Sequence, residues 1–430
     1  MKKLNAPATM QWELTSVCNH DCIHCYNYWR NDPEPLKHPD VDYMAVAKEI
    51  AKANPVHVVL TGGEPLSVFY KTIDAVRFLH NNGAFVSWNT NAALATEDIA
   101  KKIKDVDGSV FVSLPCADPD ICDTIVNKKN SLKNIERGIK TFVAAGVQIS
   151  VNMVVSKHNE DRIFETAKYA KGLGVRGFCI APASRPFGAD EAFDAMAPDK
   201  DIIDKICCAA EKIEEELGMK VTLTGALPGC AFSREKDFQK FAYVKTCTAG
   251  KVSCGIDAEG NVKACARDSK IYGNLFEEDI FSIWNKMEEW RDNSLLPEAC
   301  KTCKDVSICK GGCRLEACST TGKRNQMDTF ARKENLPISY TKIGPKYFFI
   351  PNTMFKTKKS IRFNNEPFGV RASVGPRFVY ITEATREWLE KHSYFTLEDM
   401  VDAFGKDAEP ALKQTILILL NTGMISVFKA

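Results

Sequence analysis

Residues 16–29 read SVCNHDCIHCYNYW and place Cys18, Cys22 and Cys25 at the spacing C-x3-C-x2-C. Thiolates in this number and spacing suit zinc or an iron–sulfur cluster. Three are one short of a closed four-coordinate site, and His20 and His24 stand close enough in sequence to leave zinc open. The position is more telling than the count. The three cysteines follow an apparent first strand, MQWELTS (10–16), at the end where α/β barrels carry their chemistry. The next strand runs into TGGEP (61–65), whose glycines allow close backbone approach while Glu64 offers a carboxylate.

Working outward, the chain alternates short apolar runs with helical stretches from about 10 to 185. VHVVLTGGEPL (56–66), AFVSWNTNAAL (84–94), SVFVSLPCA (109–117), VQISVNMVVSKHN (147–159) and VRGFCIAPA (175–183) each read as a buried strand entering a loop. Between them, 42–54, 71–83, 97–108 and 134–146 read as helices, several ending in Gly or Asn. This alternation predicts βαβ units on a parallel sheet, and six units suit a partial (β/α)6 TIM-like barrel better than a full eightfold one.

The whole chain has 430 residues, 45% hydrophobic and 26% charged, with a formal net charge of +2. That balance favours neither nucleic acid nor an anionic membrane as partner. No run of eighteen apolar residues occurs, and MKKLNAPATMQWELT has no apolar core of a signal peptide, so the expected location is cytoplasmic. Seventeen cysteines is a high count for such a chain. Clustered cysteines in a reducing compartment point to metal rather than disulfides. Three lie at 18–25 and eight between 247 and 318; the other six, Cys116, Cys122, Cys179, Cys207, Cys208 and Cys230, read as small buried hydrophobes.

The C-x3-C-x2-C loop followed by the Gly-Gly-Glu-Pro loop resembles the radical S-adenosylmethionine (SAM) enzymes, in order and in place. The resemblance implies that Cys18, Cys22 and Cys25 bind a [4Fe–4S] cluster whose fourth iron is left for the amino and carboxylate groups of SAM. It further implies that Gly62, Gly63 and Glu64 hold the methionyl amino group and that Pro65 shapes the turn. Ser113 and Asn152 would contact ribose and carboxylate, while His24 and residues 177–182, including Ala181, would bracket adenine. Reductive cleavage would give a 5′-deoxyadenosyl radical, which needs a cavity closed to water; mostly apolar strand ends are expected to provide it. A low-potential electron donor, flavodoxin or ferredoxin, is implied as a partner.

The second group runs Cys247-x6-Cys254-x10-Cys265, then Cys300-x2-Cys303-x5-Cys309-x3-Cys313-x4-Cys318. With the spacing Gly260-x4-Cys265, it is similar to the SPASM extension of the same enzymes, which implies two auxiliary [4Fe–4S] clusters and three in all. Cys247, Cys254, Cys265 and Cys313 would ligate one; Cys300, Cys303, Cys309 and Cys318 the other. The last cysteine follows sooner than the family pattern has it. Two structural zinc ribbons are the competing reading.

The expected organisation is a barrel over 1–186, a helical connector over 187–240, the cysteine-rich extension over 241–325 and a separate domain over 340–430. In the last, YFFIPN, SIRFNN and PRFVYIT read as strands and three helical pieces follow. The pattern resembles the winged-helix-like elements that bind leader peptides of ribosomally made precursors by β-augmentation. Lys356, Lys358, Lys359 and Arg362 could meet an acidic leader, although an ordinary solvated, charged edge strand explains them better. The implied function is a peptide maturase that abstracts hydrogen from a precursor peptide and installs a thioether, a carbon–carbon crosslink or an epimerised residue. Cys116 is the thiol considered as a hydrogen donor. A sulfatase-maturase-like or small-molecule oxidoreductase and a zinc-stabilised peptide-binding protein are the alternatives. Ala266, where sulfatase maturases typically have Asp, weighs against the first.

Overall fold

The computed structural model describes residues 3–26, 41–189, 191–233, 238, 241, 246–332 and 352–428. Its contacts divide the chain into two units, Ala6–Thr341 and Met1–Asn5 with Lys342–Ala430.

In the larger unit β1 (Thr9–Glu13), β2 (His57–Thr61), β3 (Phe85–Thr90), β4 (Ser109–Ser113), β5 (Gln148–Val155), β6 (Gly177–Pro182) and β7 (Lys220–Leu223) stand side by side in chain order, every neighbouring pair parallel. The helices between them are α1 (Tyr43–Lys52), α2 (Phe69–Asn81), α3 (Glu97–Asp105), α4 (Pro119–Val126), α5 (Ser131–Ala144), α6 (Ile163–Gly172), α7 (Glu191–Met196) and α8 (Ile202–Leu217). Sequential parallel strands with helical crossovers make the expected partial α/β barrel. Local chemistry sets the boundaries. The Thr96 hydroxyl caps α3 through the Ile99 amide, Asp118 caps α4 ahead of Pro119, and Gly218 ends α8 in the left-handed region.

A seventh strand lies inside the segment expected to be a helical connector. α7 and α8 account for its helical signal, whereas KVTL in β7 is too short to show a period of two. The cysteine-rich segment extends this same sheet. β8 (Ser253–Ile256) pairs in parallel with the other side of β1, and β9 (Asn261–Lys263) and β10 (Ile271–Asn274) follow antiparallel. Short helices α9 (Ile280–Asn285), α10 (Glu298–Lys301), α11 (Val306–Cys309) and α12 (Arg314–Thr321) complete it.

The two sheet faces differ. Met10, Trp12, Leu60, Val86, Trp88, Val112, Val151 and Ile180 are fully buried. Trp12 meets Tyr43 of α1, and Trp88 meets Phe69 of α2, at ring separations of 6.1 Å in both cases, so this face packs on the helices. The alternate face carries Gln11, Asn89, Ser113, Ser150, Asn152, Cys179 and Ala181, which keep some exposure. It is more polar than the mostly apolar strand ends expected.

In the smaller unit β12 (Arg362–Glu366), β13 (Gly369–Val374) and β14 (Arg377–Ile381) form an antiparallel meander. β11 (Phe355–Thr357) lies between β15 (Tyr394–Phe395) and β16 (Ile425–Val427). Helices α13 (Glu383–Lys391), α14 (Leu397–Phe404) and α15 (Glu409–Thr422) pack Trp388, Met400, Leu412, Ile416 and Leu419 on Phe355 and Phe395. Thr396 and Asp399 make both arms of a capping box, and Gly423 ends α15 in the left-handed region. The YFFIPN reading falls almost wholly outside the described residues. Lys356 stands on β11 over the Tyr394 ring, and Arg362 begins β12.

Candidate active site

The two motif loops are joined through their backbones. Leu14 donates to Thr61 at 2.9 Å, Gly63 to Thr15 at 2.6 Å and Glu64 to Val17 at 2.8 Å, the acceptor being a carbonyl oxygen in each case. This ladder continues the β1–β2 pairing past both strand ends. A Cβ on Gly62, whose φ is +123°, would stand 2.3 Å from the Thr15 carbonyl oxygen, and one on Gly63 would stand 2.1 Å from that of Val17. The glycines are therefore required by the approach of the cysteine loop itself.

Glu64 is 1% exposed, and its carboxylate ties three elements together. It accepts the Leu66 amide at 3.0 Å, the Thr90 hydroxyl at 2.6 Å and the Asn91 amide at 2.8 Å. Pro65 opens the short turn that Glu64 caps. Burial pushes the Glu64 carboxyl up to about 7 despite those three donors, leaving a site that favours a cation beside it. Asn91 passes the connection to the cysteine loop, donating to the Asn19 side chain at 2.7 Å and reaching the Cys18 sulfur at 3.9 Å. Thr90 and Asn91 were not singled out from sequence; their signal was a polar pair at a strand end.

The loop is pinned on its other side by α4. Asp21 and Ile23 donate to the carbonyls of Val126 and Ile125, Asn127 to the Asp21 carboxylate at 2.8 Å, and Lys128 to the Asn19 carbonyl at 2.6 Å. Within the loop, burial raises the Cys22 thiol, with Cys25, Cys18 and Cys122 adding to the effect. Cys18 and Cys25 thus lie near enough to Cys22 to act on its thiol. No group of three or more His, Cys, Asp or Glu among the described residues is close enough to hold a single metal ion. His24 is half-buried, its imidazole is held down to about 4 by desolvation, and its buried Nδ1 has no hydrogen-bond partner among the described residues. His20 is lowered to about 4 by burial and by Lys128.

Ser113, Asn152 and Ala181 share the face turned away from the helices, since Ser113 pairs with Asn152, Asn152 with Cys179 and Val154 with Ala181. Thr224 donates to the Asn152 side chain at 3.2 Å. Cys116 does not join them. It is fully buried, its sulfur accepts the Asp118 amide at 3.4 Å, and burial raises its thiol. This enclosure favours core packing over the hydrogen-donor reading of Cys116.

Among the later cysteines, Cys265 and Cys313 are each raised first by burial and then influenced by Cys247. Arg267 donates to the Cys313 sulfur at 3.6 Å and pairs with Glu316 at 3.1 Å. Cys254 stands apart. It pairs with Met10 and so points to the helix-facing side, and burial alone raises it. One residue of strand register separates it from the opposite face. Cys300 is near Cys309 and Cys303, and Cys309 near Cys303. Cys318 instead faces Arg324 and Asp268. Also unread in the sequence is a buried ion cluster beside the loop, in which Lys263 Nζ lies 3.3 Å from Glu13 and 3.5 Å from Asp257.

Residues 12–176 match the model of the Radical SAM superfamily, and residues 247–304 match SPASM, an iron-sulfur cluster-binding domain. The chain carries a radical SAM domain and a SPASM domain. It is 26% identical to the AdoMet-dependent heme synthase of Methanosarcina barkeri over 74% of this chain and 94% of that one. With the mycofactocin maturase MftC of Mycolicibacterium smegmatis the identity is 28%, over 72% and 79%. The fold is that of Streptococcus suis SuiB, crystallised with S-adenosylmethionine, at a TM-score of 0.62, 17% identity and 76% and 78% coverage. The donor set fits the radical SAM cofactors: three soft sulfurs share one loop beside a glycine cradle, a cation-favouring carboxylate and an unpaired buried imidazole nitrogen.

Proposed function

We propose that this radical SAM enzyme modifies a ribosomally made precursor peptide. The observation that carries the chemistry is the ladder joining the three-thiol loop to Gly62–Glu64, because it sets a ligand-deficient sulfur site against a carboxylate suited to an ammonium group. When bound, a [4Fe–4S] cluster with SAM supplies a 5′-deoxyadenosyl radical, and the reducing electron comes from a flavodoxin or ferredoxin. Cys18, Cys22 and Cys25 would hold the cluster; Gly62, Gly63 and Glu64 the amino group; Ser113 and Asn152 the ribose and carboxylate; His24 and Ala181 the adenine. Cys247, Cys265 and Cys313 would serve one auxiliary cluster, and Cys300, Cys303 and Cys309 with a fourth thiol the other. No helix among the described residues is long and apolar enough to cross a membrane, which accords with a cytoplasmic enzyme.

The peptide class rests on the smaller unit. Among the described residues β14 pairs with β13 on one side, which leaves its other edge to accept an added strand. Beside it, Tyr380, Ile381, Thr385, Thr415 and Ile418 line a groove of about 410 Å³, large enough for anchoring side chains. MftC, by its name a maturase, and SuiB, also crystallised with its precursor peptide SuiA, support the same class. The heme synthase relative favours a small-molecule substrate as the second reading.

The test is anaerobic purification, metal and sulfide analysis, and incubation with SAM and a strong reductant. Formation of 5′-deoxyadenosine with roughly twelve irons per chain is expected for three cubanes. Stoichiometric zinc without iron would sink the enzyme reading. 5′-Deoxyadenosine formation stimulated by a porphyrin, with no response to any peptide encoded beside the gene, would favour the second reading.

A further inference from the structure

We infer that Cys230, not Cys318, is the fourth cysteine ligand of the second auxiliary cluster. This rests on the radical SAM/SPASM reading above and changes the ligand set that the cysteine spacing implies. Cys230 occupies a single turn, Gly229–Ala231, seventeen residues before Cys247, and it is 6% exposed. The amide of the preceding residue, Gly229, donates to the Cys309 sulfur at 3.3 Å. Cys230 packs on Ala331 and Met327, and the Met327 sulfur lies 3.9 Å from that of Cys300. Gly312 closes the assembly: a Cβ there would stand 3.0 Å from Pro228 and 2.7 Å from the Asp328 carboxylate. The turn at 228–231 is therefore wedged between Cys309, Cys300 and the chain at 327–332.

Electrostatic influences agree with the packing. After burial, the groups acting on Cys230 include Cys309 and Cys300, which are themselves influenced by Cys303. The same four thiols recur as one another's neighbours. Cys318 has a different surrounding. It sits one turn along α12 from Cys313, with Arg324 and Asp268 as its charged neighbours, and Asp268 is tied by its amide to the Cys265 carbonyl. Asp328 is the remaining nearby ligand type. Its two oxygens already accept the amides of Cys313 at 2.7 Å and Phe330 at 3.0 Å.

The position of Ala331 explains the substitution. The spacing of the extension calls for a last cysteine after a longer gap than Cys318 provides, and Ala331 lies on such a longer gap, packed on Cys230. A thiol from one side of the site thus replaces one from the other. Gly229, Gly311 and Gly312 all direct amides at Cys309, an arrangement that stabilises a thiolate ligand.

The experiment compares anaerobically purified wild-type, C230A, C230S, C318A and the double variant C230A/A331C by iron and sulfide content and by electron paramagnetic resonance and Mössbauer spectra. C230A is expected to lose about four of roughly twelve irons, or to show a three-iron signal, while C318A keeps the wild-type content and spectrum. C230S guards against a simple packing defect, because its side chain is close in size but a poor iron ligand; it is expected to change the spectrum with the fold intact by circular dichroism. C230A/A331C is expected to regain the lost iron. Wild-type iron in C230A, loss of four irons in C318A, or failure of the double variant to recover would each overturn the assignment. Wild-type protein without iron would overturn the underlying reading instead.

Discussion

The Glu64 amide donates to the Val17 carbonyl oxygen at 2.8 Å, one residue before the first motif cysteine. Neither loop can be placed without the other. A substitution in the glycine turn should therefore act on the thiols, although it touches none of them.

Gly63→Ala tests that coupling. Its Cβ would fall 2.1 Å from the Val17 carbonyl oxygen, a backbone atom that cannot swing aside. The variant should lose about 1–3 kcal/mol of stability, with iron content at the first site and SAM affinity falling together in equilibrium dialysis. Gly172→Ala, which meets nothing within 4 Å at the end of α6, should bind iron and SAM as wild type does.

The buried ions beside the loop predict a pH dependence. Lys263 and Glu13 have side chains 0% and 4% exposed, so Lys263→Met leaves carboxylates uncompensated and should cost about 3–5 kcal/mol in denaturant unfolding. Burial holds the Glu13 carboxyl up to about 7 from 4.5, with Lys263 pulling it down and Asp257 pushing it up. The native state then binds the proton more tightly than the unfolded chain. Stability should fall as pH rises from about 4.5 to about 7, and Glu13→Gln should flatten that slope relative to wild type.

Cys116→Ala should leave product formation unchanged and cost about 1–2 kcal/mol, the loss of one small buried group. Thermal unfolding and product analysis on the same preparation check both halves. Loss of an epimerised product with the fold intact would restore the thiol to the chemistry.

Thr415→Trp should fill the groove beside β14. Precursor affinity should fall by at least tenfold in fluorescence anisotropy, while 5′-deoxyadenosine formed without peptide stays at the wild-type rate. Equal losses in both would argue that the smaller unit serves stability rather than recognition.

Much of this was legible because chemistry and periodicity coincide in the barrel. Strand runs ending in Gly-Gly-Glu-Pro or in cysteines announce both an element and a site. The strand KVTL and the sheet extension by β8 escaped notice, since four residues carry no readable period and parallel pairing to β1 is a long-range fact. Cys254 and Cys318 take their places in the ligand sets from the cysteine pattern of the SPASM resemblance. Spacing does not report which face of a strand or helix a sulfur leaves from, and one position of strand register decides it for Cys254. Cys230 reads in the sequence only as a small buried hydrophobe, because its cysteine neighbours lie some seventy residues further along the chain.

β1 has a further consequence as a shared rail. One flank holds the strand leading to the glycine turn, and the other holds β8, so the reactive loop and the auxiliary segment are registered against the same four residues, Thr9–Trp12. Their separation is a ladder repeat rather than a linker length, and it cannot vary without breaking backbone hydrogen bonds. Any opening that admits a long substrate must then occur elsewhere in the sheet. Both edges of the sheet lie away from that rail: among the described residues β7 pairs with β6 alone and β10 with β9 alone.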